Sequence, residues 1–432
     1  MTERPERLLF VHGPGGPHPS WYLPRLSGTY QLRVLWRPSG DPMSDAALAE
    51  SFGQHGESVA VDPDTPWGPF LLEQATDWKP DGILAFSELV AADCHAAASK
   101  TGLPGAPVHA AERLRSKHSQ RTLMAAAGIP MPAFRCVGTL EELREAAEHV
   151  GLPAVLKPVV GVGSAATYPV DQATDLATLW RTAERAYLPD PRGSGQMSFI
   201  LEARLFGQNQ HGDERFGDQV SVESVVCDGR VHHLTVTDKL PLEREFRETG
   251  DISPSSLPAP LQEELREIST AAIRALDLDN TAVHTEFKLT PDGPRVIEVN
   301  GRIGGGVTEL LHYSADYDVV ADLAAVAVGR ASLAAPRHRR HAAFLTPQPP
   351  HTATHVARAP EAAHLLSLPG VVSADVLCQA GSPTDWRRGT SANLARVFAV
   401  AETIDDLLAT HEALNSDDCF AFVHERSARE SR

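Results

Sequence analysis

Six residues between positions 286 and 305 concentrate the reactive chemistry of this chain: Glu286, Glu298, Asn300, Arg302, Gly304 and Gly305, within HTEFKLTPDGPRVIEVNGRIGGG. Residues 283–289 alternate apolar and polar, Thr290-Pro-Asp-Gly-Pro294 is turn chemistry, and 296–302 alternate again. Asp-Gly between two alternating runs is a strong hairpin signal. With the turn centred on Asp292, Glu286 lies opposite Glu298 and His284 opposite Asn300. Strand side chains alternate faces. One face then carries His284, Glu286, Lys288, Glu298, Asn300 and Arg302, and the core face carries Val283, Phe287, Leu289, Ile297 and Val299. Directly opposed like charges destabilise a sheet, so the two carboxylates need a neutralising partner. Two carboxylates and a carboxamide are hard oxygen donors that suit Mg²⁺, commonly held by one or two carboxylates plus substrate phosphates. The competing reading is a solvated strand face whose acids pair with Arg302 and Lys288, because charged faces are common in antiparallel sheets. The glycines tip the balance, since Gly304-Gly305-Gly306 presents backbone N–H groups able to bind a phosphate or an oxyanion.

The rest of the chain must hold this hairpin and face it with counter-charge. At 432 residues, two to four domains are expected. Strands at 8–11 and 82–86 with a helix at 89–100 indicate a small α/β unit. The loop His12-Gly-Pro-Gly-Gly-Pro17 does not match the dinucleotide fingerprint. A helix over 112–128 stops at Gly128 with Pro130 beyond it. A capping box, Thr139 with Glu142, opens another over 139–150. Strands are expected near 154–157, 198–203, 220–226 and 231–237, with a mobile polar loop at 206–218. A helix over 260–276 leads into the hairpin, and another covers 317–328. After a basic linker around Pro336, residues 342–423 read as a separate α+β unit and 425–432 as a disordered tail.

Composition is that of a soluble globular protein, 42% hydrophobic and 22% charged. No apolar run of about 18 residues is present, so no transmembrane helix is expected. The first residues lack the apolar stretch of a secretory signal, which makes the cytoplasm the expected compartment. A net charge of −17 argues against broad nucleic-acid binding. The five cysteines are scattered, in no metal spacing, and read as buried free thiols. Lysine is scarce, six in all, so Lys117 and Lys157 stand out.

The text Glu298-Val-Asn300-Gly-Arg302-Ile-Gly304-Gly305 resembles the last metal-binding strand of the ATP-grasp ligases, and Glu286 matches the acid of the partner strand. The resemblance spans roughly 102–329. It implies an α/β and α+β architecture in three parts. These are an N-terminal Rossmann-like domain over 1–105, an ATP-grasp domain over 106–330 with a flexible nucleotide-covering subdomain at about 150–238, and a C-terminal α+β domain over 331–432. It also implies ATP and two Mg²⁺ ions, replaceable by Mn²⁺, with Glu286, Glu298 and Asn300 as metal ligands.

The nucleotide residues follow from three further stretches that are similar to family segments. Lys117, on the helix before Gly128, would touch the phosphates. Lys157, in AVLKP, would point at the α-phosphate and adenine edge, with Gly163 and Ser164 in the loop that closes over the β- and γ-phosphates. In FILEARL, backbone at Ala203 and Leu205 would read adenine and Glu202 would take its exocyclic amine. Gln219 stands where the family often has a ribose-binding Glu, and an amide can also bond a hydroxyl. Taken alone, Lys117 reads as a solvated helix residue and FILEARL as a plain apolar strand ending in charges, while AVLKP reads equally well as a buried strand ending in an ordinary Gly-rich turn.

The resemblance implies a ligase that phosphorylates a carboxylate and lets an amine displace the phosphate, most like the L-amino acid ligases. Arg302 would hold the carboxylate and the transferring phosphoryl, with Gly304 and Gly305 N–H groups on the oxyanion. Glu88 either binds a substrate amino group or is solvated. His284 either touches substrate or is a structural histidine. Partners are then small molecules, amino acids or similar acids and amines, with no nucleic acid and no membrane, and a homodimer is allowed. A carboxylating enzyme related to biotin carboxylase, a ligase of nucleotide biosynthesis and a non-catalytic nucleotide-binding regulator are the alternatives.

Overall fold

The computed structural model describes residues 4–161, 166–187, 198–244 and 246–424. Gly163, Ser164 and the tail from 425 lie outside the described residues. The N-terminal unit is a parallel sheet in the order Glu57–Ala60, Gln31–Trp36, Arg7–Val11, Gly82–Ala85. Its central strand is apolar on both faces, with Leu8, Leu9, Phe10 and Val11 all buried, as helices on both sides of a parallel sheet require. It seats on the next unit where Leu84 and Phe86 pack against Leu323 and Ala327 of the helix Val319–Ala327.

A second, antiparallel sheet runs Phe134–Val137, Phe199–Ala203, Ala154–Pro158, Tyr168–Val170, with its own core around Leu156, Trp180 and Phe199. The strands Gln219–Cys227 and Arg230–Lys239, expected in the nucleotide-covering subdomain, instead join a third sheet of eight antiparallel strands. That sheet begins with Gly293–Asn300 and Thr281–Thr290 and passes through those two strands to Gly250–Ser253. It then continues into His341–Leu345, Ala395–Ala401 and Val371–Val376. The strands after Pro336 thus extend the large sheet, through the pairing of Gly250–Ser253 with His341–Leu345, although they keep a separate apolar core around Leu394, Val397 and Leu407. No helix among the described residues is long and apolar enough to cross a membrane. All five cysteines are free thiols.

Three local expectations change. The helix expected over 112–128 is two helices, Val108–Arg115 and Lys117–Ala126, broken at Ser116, whose extended backbone (φ −115°) lets its hydroxyl cap the second helix at Ser119 N. Residues 307–315 add an unforeseen helix, Val307–Ala315, directly after the glycines. The polar 206–218 segment is tied down: the Asn209 side chain bonds the carbonyls of Asp213 and Phe216, and Arg215 pairs with Asp405.

Candidate active site

The hairpin has the register read from its sequence at the functional end, with Glu286 opposite Glu298 and His284 opposite Asn300. Beyond Glu286 a bulge shifts the pairing, so that Phe287 faces Val296. Val296 therefore fills the core with Phe287, Leu289 and Val299, above the helix Ala259–Leu276. Ile297, expected on that core face, turns to the other side and lines a cleft between the two antiparallel sheets. A bulge puts two residues against one, and that reverses the face of the extra residue.

Each acid of the hairpin has its own cation. Lys117 opens its helix with its N–H on Val159 O, and its ammonium reaches Glu298 at 2.6 Å and Gly161 O at 2.7 Å. His284 is buried, with Nδ1 2.6 Å from Glu223 and Nε2 3.1 Å from Glu286. Burial alone would lower the imidazole's pKa, but the charge and hydrogen bond of Glu223 and the bond to Glu286 push it up to about 9. Burial would likewise raise Glu286, yet His284, Lys239 and Arg302 hold it down at about 2. His284 thus bridges Glu223 and Glu286 with both ring nitrogens engaged. Glu223 also accepts from Ser221 Oγ at 2.8 Å and from Gly304 N at 3.0 Å. The Gly304 N–H, expected on an oxyanion, is thus bonded to Glu223, whereas Gly305 is exposed at the site.

A second cluster lies deeper. Glu202 is bidentate to Arg121, at 2.7 and 3.1 Å, and accepts from Lys157 at 2.8 Å. Burial opposes its ionisation, but the two cations outweigh it and hold the carboxyl near 2. Both oxygens expected to read an adenine amine are thus bonded to cations. Burial pulls the Lys157 ammonium down from its usual pKa while Glu202 resists. Arg302 sits 3.1 Å from Glu88 through Nε and donates to Ile303 O through a terminal nitrogen. The Glu88 contact is an ion pair without hydrogen-bond geometry, so Glu88 Oε2 keeps a free acceptor position. Lys239 is buried between Glu248 at 2.7 Å and Asp251 at 3.0 Å.

Two cavities meet here. A cleft of about 160 Å³ between the antiparallel sheets is bounded by Lys117, Lys157, Glu202, Ala203, Leu205 and Gln219. A chamber of about 590 Å³ lies where all three parts of the chain converge, and Glu88, His284, Asn300, Arg302 and Gly305 face it. Glu248, Glu286 and Glu298 border both. Residues 150–309 match the description of an ATP-grasp domain. The chain carries an ATP-grasp domain. It is 34% identical over 244 residues to the alanine–anticapsin ligase of Bacillus subtilis (strain 168), 54% of this chain and 51% of that protein. It is 33% identical over 312 residues to the alanine–anticapsin ligase of Bacillus amyloliquefaciens, 65% and 66% of the two chains. The match thus spans between half and two-thirds of these relatives. In fold it is similar to an L-amino acid ligase from Bacillus licheniformis, with a TM-score of 0.80, 20% identity and coverage of 98% of this chain and 100% of that one.

Among the described residues no group of three or more His, Cys, Asp or Glu is disposed to hold a metal. The donor set is two facing carboxylates and the Asn300 carboxamide, which fits a cation that takes its remaining oxygens from phosphates. Sequence reasoning missed Arg121, Glu223, Glu248 and Asp251. Arg121 carried a signal: it lies four residues after Lys117 and so on the same helix face. Glu223 shares a strand face with Gln219 and Ser221.

Proposed function

We propose that this protein is an ATP-dependent carboxylate–amine ligase that joins amino-acid-like substrates through an acyl phosphate. The observation that carries the reading is the meeting of the two cavities at Glu248, Glu286 and Glu298. A phosphate chain entering from the cleft and a carboxylate entering from the chamber would reach the same three acids. A substrate carboxylate oxygen attacks the γ-phosphorus, and the bond to ADP breaks. The amine nitrogen then attacks the acyl carbon, phosphate leaves, and the amine's proton is lost to solvent. ATP-grasp ligases use ATP with divalent metal ions. Two Mg²⁺ ions on Glu286, Glu298 and Asn300 would neutralise charge on the transferring phosphoryl.

The chain's own groups prepare that step. Lys117 and Lys157 bring positive charge to the cleft beside Glu298 and Glu202. His284 fixes the Glu286 carboxylate and, through Glu223, the Gly304 backbone. Arg302 offers its planar fork to a carboxylate, with Glu88 steadying it from the other side. The cytoplasm is the proposed compartment, and a homodimer is the proposed assembly, to be tested by sedimentation.

ADP release over pairs of amino acids, with hydroxylamine to trap acyl phosphate, tests the reading. The expected result is ADP and hydroxamate with an amino acid as the acid, and loss of both in Glu298→Gln. ADP release only with bicarbonate or formate would replace it by the carboxylating or nucleotide-pathway reading.

A further inference from the structure

The chamber has a wall that the phosphate chemistry leaves unused. It comes from the far strands of the large sheet. On Ala395–Ala401, Arg396 and Phe398 are two residues apart and share a face. Phe398 pairs in register with Phe344 and stacks on it, ring centroids 4.7 Å apart at 18°, and Tyr313 tilts against Phe398 at 5.9 Å. Arg396, Phe398, Phe344 and Tyr313 all border the chamber.

Three long-chain cations face this chamber, and they differ in one respect. Lys239 is held by Glu248 and Asp251, and Arg302 by Glu88. The Arg396 guanidinium makes no ion pair or side-chain hydrogen bond among the described residues, although Asp375 lies opposite it in register and its charge acts on the buried Glu309. A half-buried guanidinium beside an aromatic shelf, without a bound anion of its own, is a receptor for a planar anion.

The ligase reading says which anion. The carboxylate that reacts must lie at Glu286, Glu298 and Arg302. An amino acid that donates its amine keeps its own carboxylate throughout, and that group needs a cation away from the phosphates. We propose that the C-terminal strands form the site of the amine-donating substrate. Arg396 binds its carboxylate, and the Phe398–Phe344–Tyr313 shelf receives its side chain. The substrate class is therefore an α-amino acid with an aromatic or bulky apolar side chain. This rests on the ligase reading for the order of chemistry, while the binding it asserts can be measured alone.

Calorimetry on the full chain with L-phenylalanine, L-phenylalaninamide and L-alanine is the test, with ATP affinity as the control for folding. The wild type is expected to bind L-phenylalanine roughly tenfold or more tightly than its amide, the scale of a charge-assisted pair. Arg396→Gln should bring the two to parity, with ATP affinity kept, and Arg396→Lys should recover part of the difference. L-Alanine should bind more weakly than L-phenylalanine. Equal affinity of the wild type for acid and amide, or unchanged L-phenylalanine affinity in Arg396→Gln, overturns the carboxylate assignment. Equal affinity for L-alanine overturns the shelf. Absence of trapped acyl phosphate with every acid would sink the ligase reading by itself, and the calorimetry would still decide the role of Arg396.

Discussion

At the scale of single residues, Arg302 and Glu202 carry buried or half-buried charge with different consequences. Arg302 keeps a fork whose Nε faces Glu88 and whose terminal nitrogen meets Ile303 O. Lysine keeps the charge but cannot make both contacts. Arg302→Lys should bind ATP almost normally and lose roughly 10²-fold in turnover, comparable to removing one oxyanion donor; kcat beside nucleotide affinity checks this. Glu202 lies between two buried cations, so Glu202→Gln leaves Arg121 and Lys157 uncompensated, at a cost of about 3–5 kcal/mol read by denaturant unfolding. Its carboxyl ionises near 2 in the folded protein, below the ordinary 4.5. A depressed carboxyl stabilises the fold fully above 4.5 and progressively less as pH falls towards 2. The wild type should therefore lose part of its thermal stability across that window, and the Gln variant should lose less. The partnership of Arg121 with Glu202 was not legible in the sequence, because 81 positions separate them and no local pattern links them. The opposition of Glu286 and Glu298 was legible, because a two-residue period and an Asp-Gly turn fix it.

Among the elements, the helix break at Ser116 decides where Lys117 points. The serine hydroxyl accepts from Ser119 N, and the first N–H of the new helix is satisfied by Val159 O. Ser116→Ala removes the cap, for which about 1 kcal/mol is expected. It should also weaken ATP binding, because the turn that aims Lys117 at Glu298 loosens. Unchanged ATP affinity at a lowered Tm would confine Ser116 to a capping role. The sequence hid this break, since the helical pattern runs on through Arg115 and Lys117. It hid the hairpin bulge for a similar reason: Val296 and Ile297 are interchangeable to a pattern reader, and only packing under Phe287 and Leu289 selects Val296 for the core. In the N-terminal sheet the strands around 8–11 and 82–86 were plain, because they are short, continuous apolar runs, whereas Gln31–Trp36 and Glu57–Ala60 were not read, because polar residues interrupt them.

For the whole molecule, the junctions between units matter most. A Cβ on Gly82 would lie 2.3 Å from the carbonyl oxygen of Ala327, so the N-terminal sheet meets the helix Val319–Ala327 backbone to backbone. Gly82→Val should force the two apart and cost about 1–3 kcal/mol. ATP affinity should survive, because the cleft lies between the other two sheets; a melting curve beside ATP titration checks both. That the strands after Pro336 complete the large sheet was not legible, because the pairing of His341–Leu345 with Gly250–Ser253 joins segments about ninety positions apart. The eight-stranded order also has a historical consequence. Five strands lie between Gly293–Asn300, which carries Glu298, and Ala395–Ala401, which carries Arg396, so the two walls of one chamber share no side-chain neighbours along the sheet. Substitutions at distant sites without common partners add rather than interfere. Descendants of this protein could therefore alter the wall that carries Arg396 by drift in the last strands, while the wall that carries Glu298 is inherited intact.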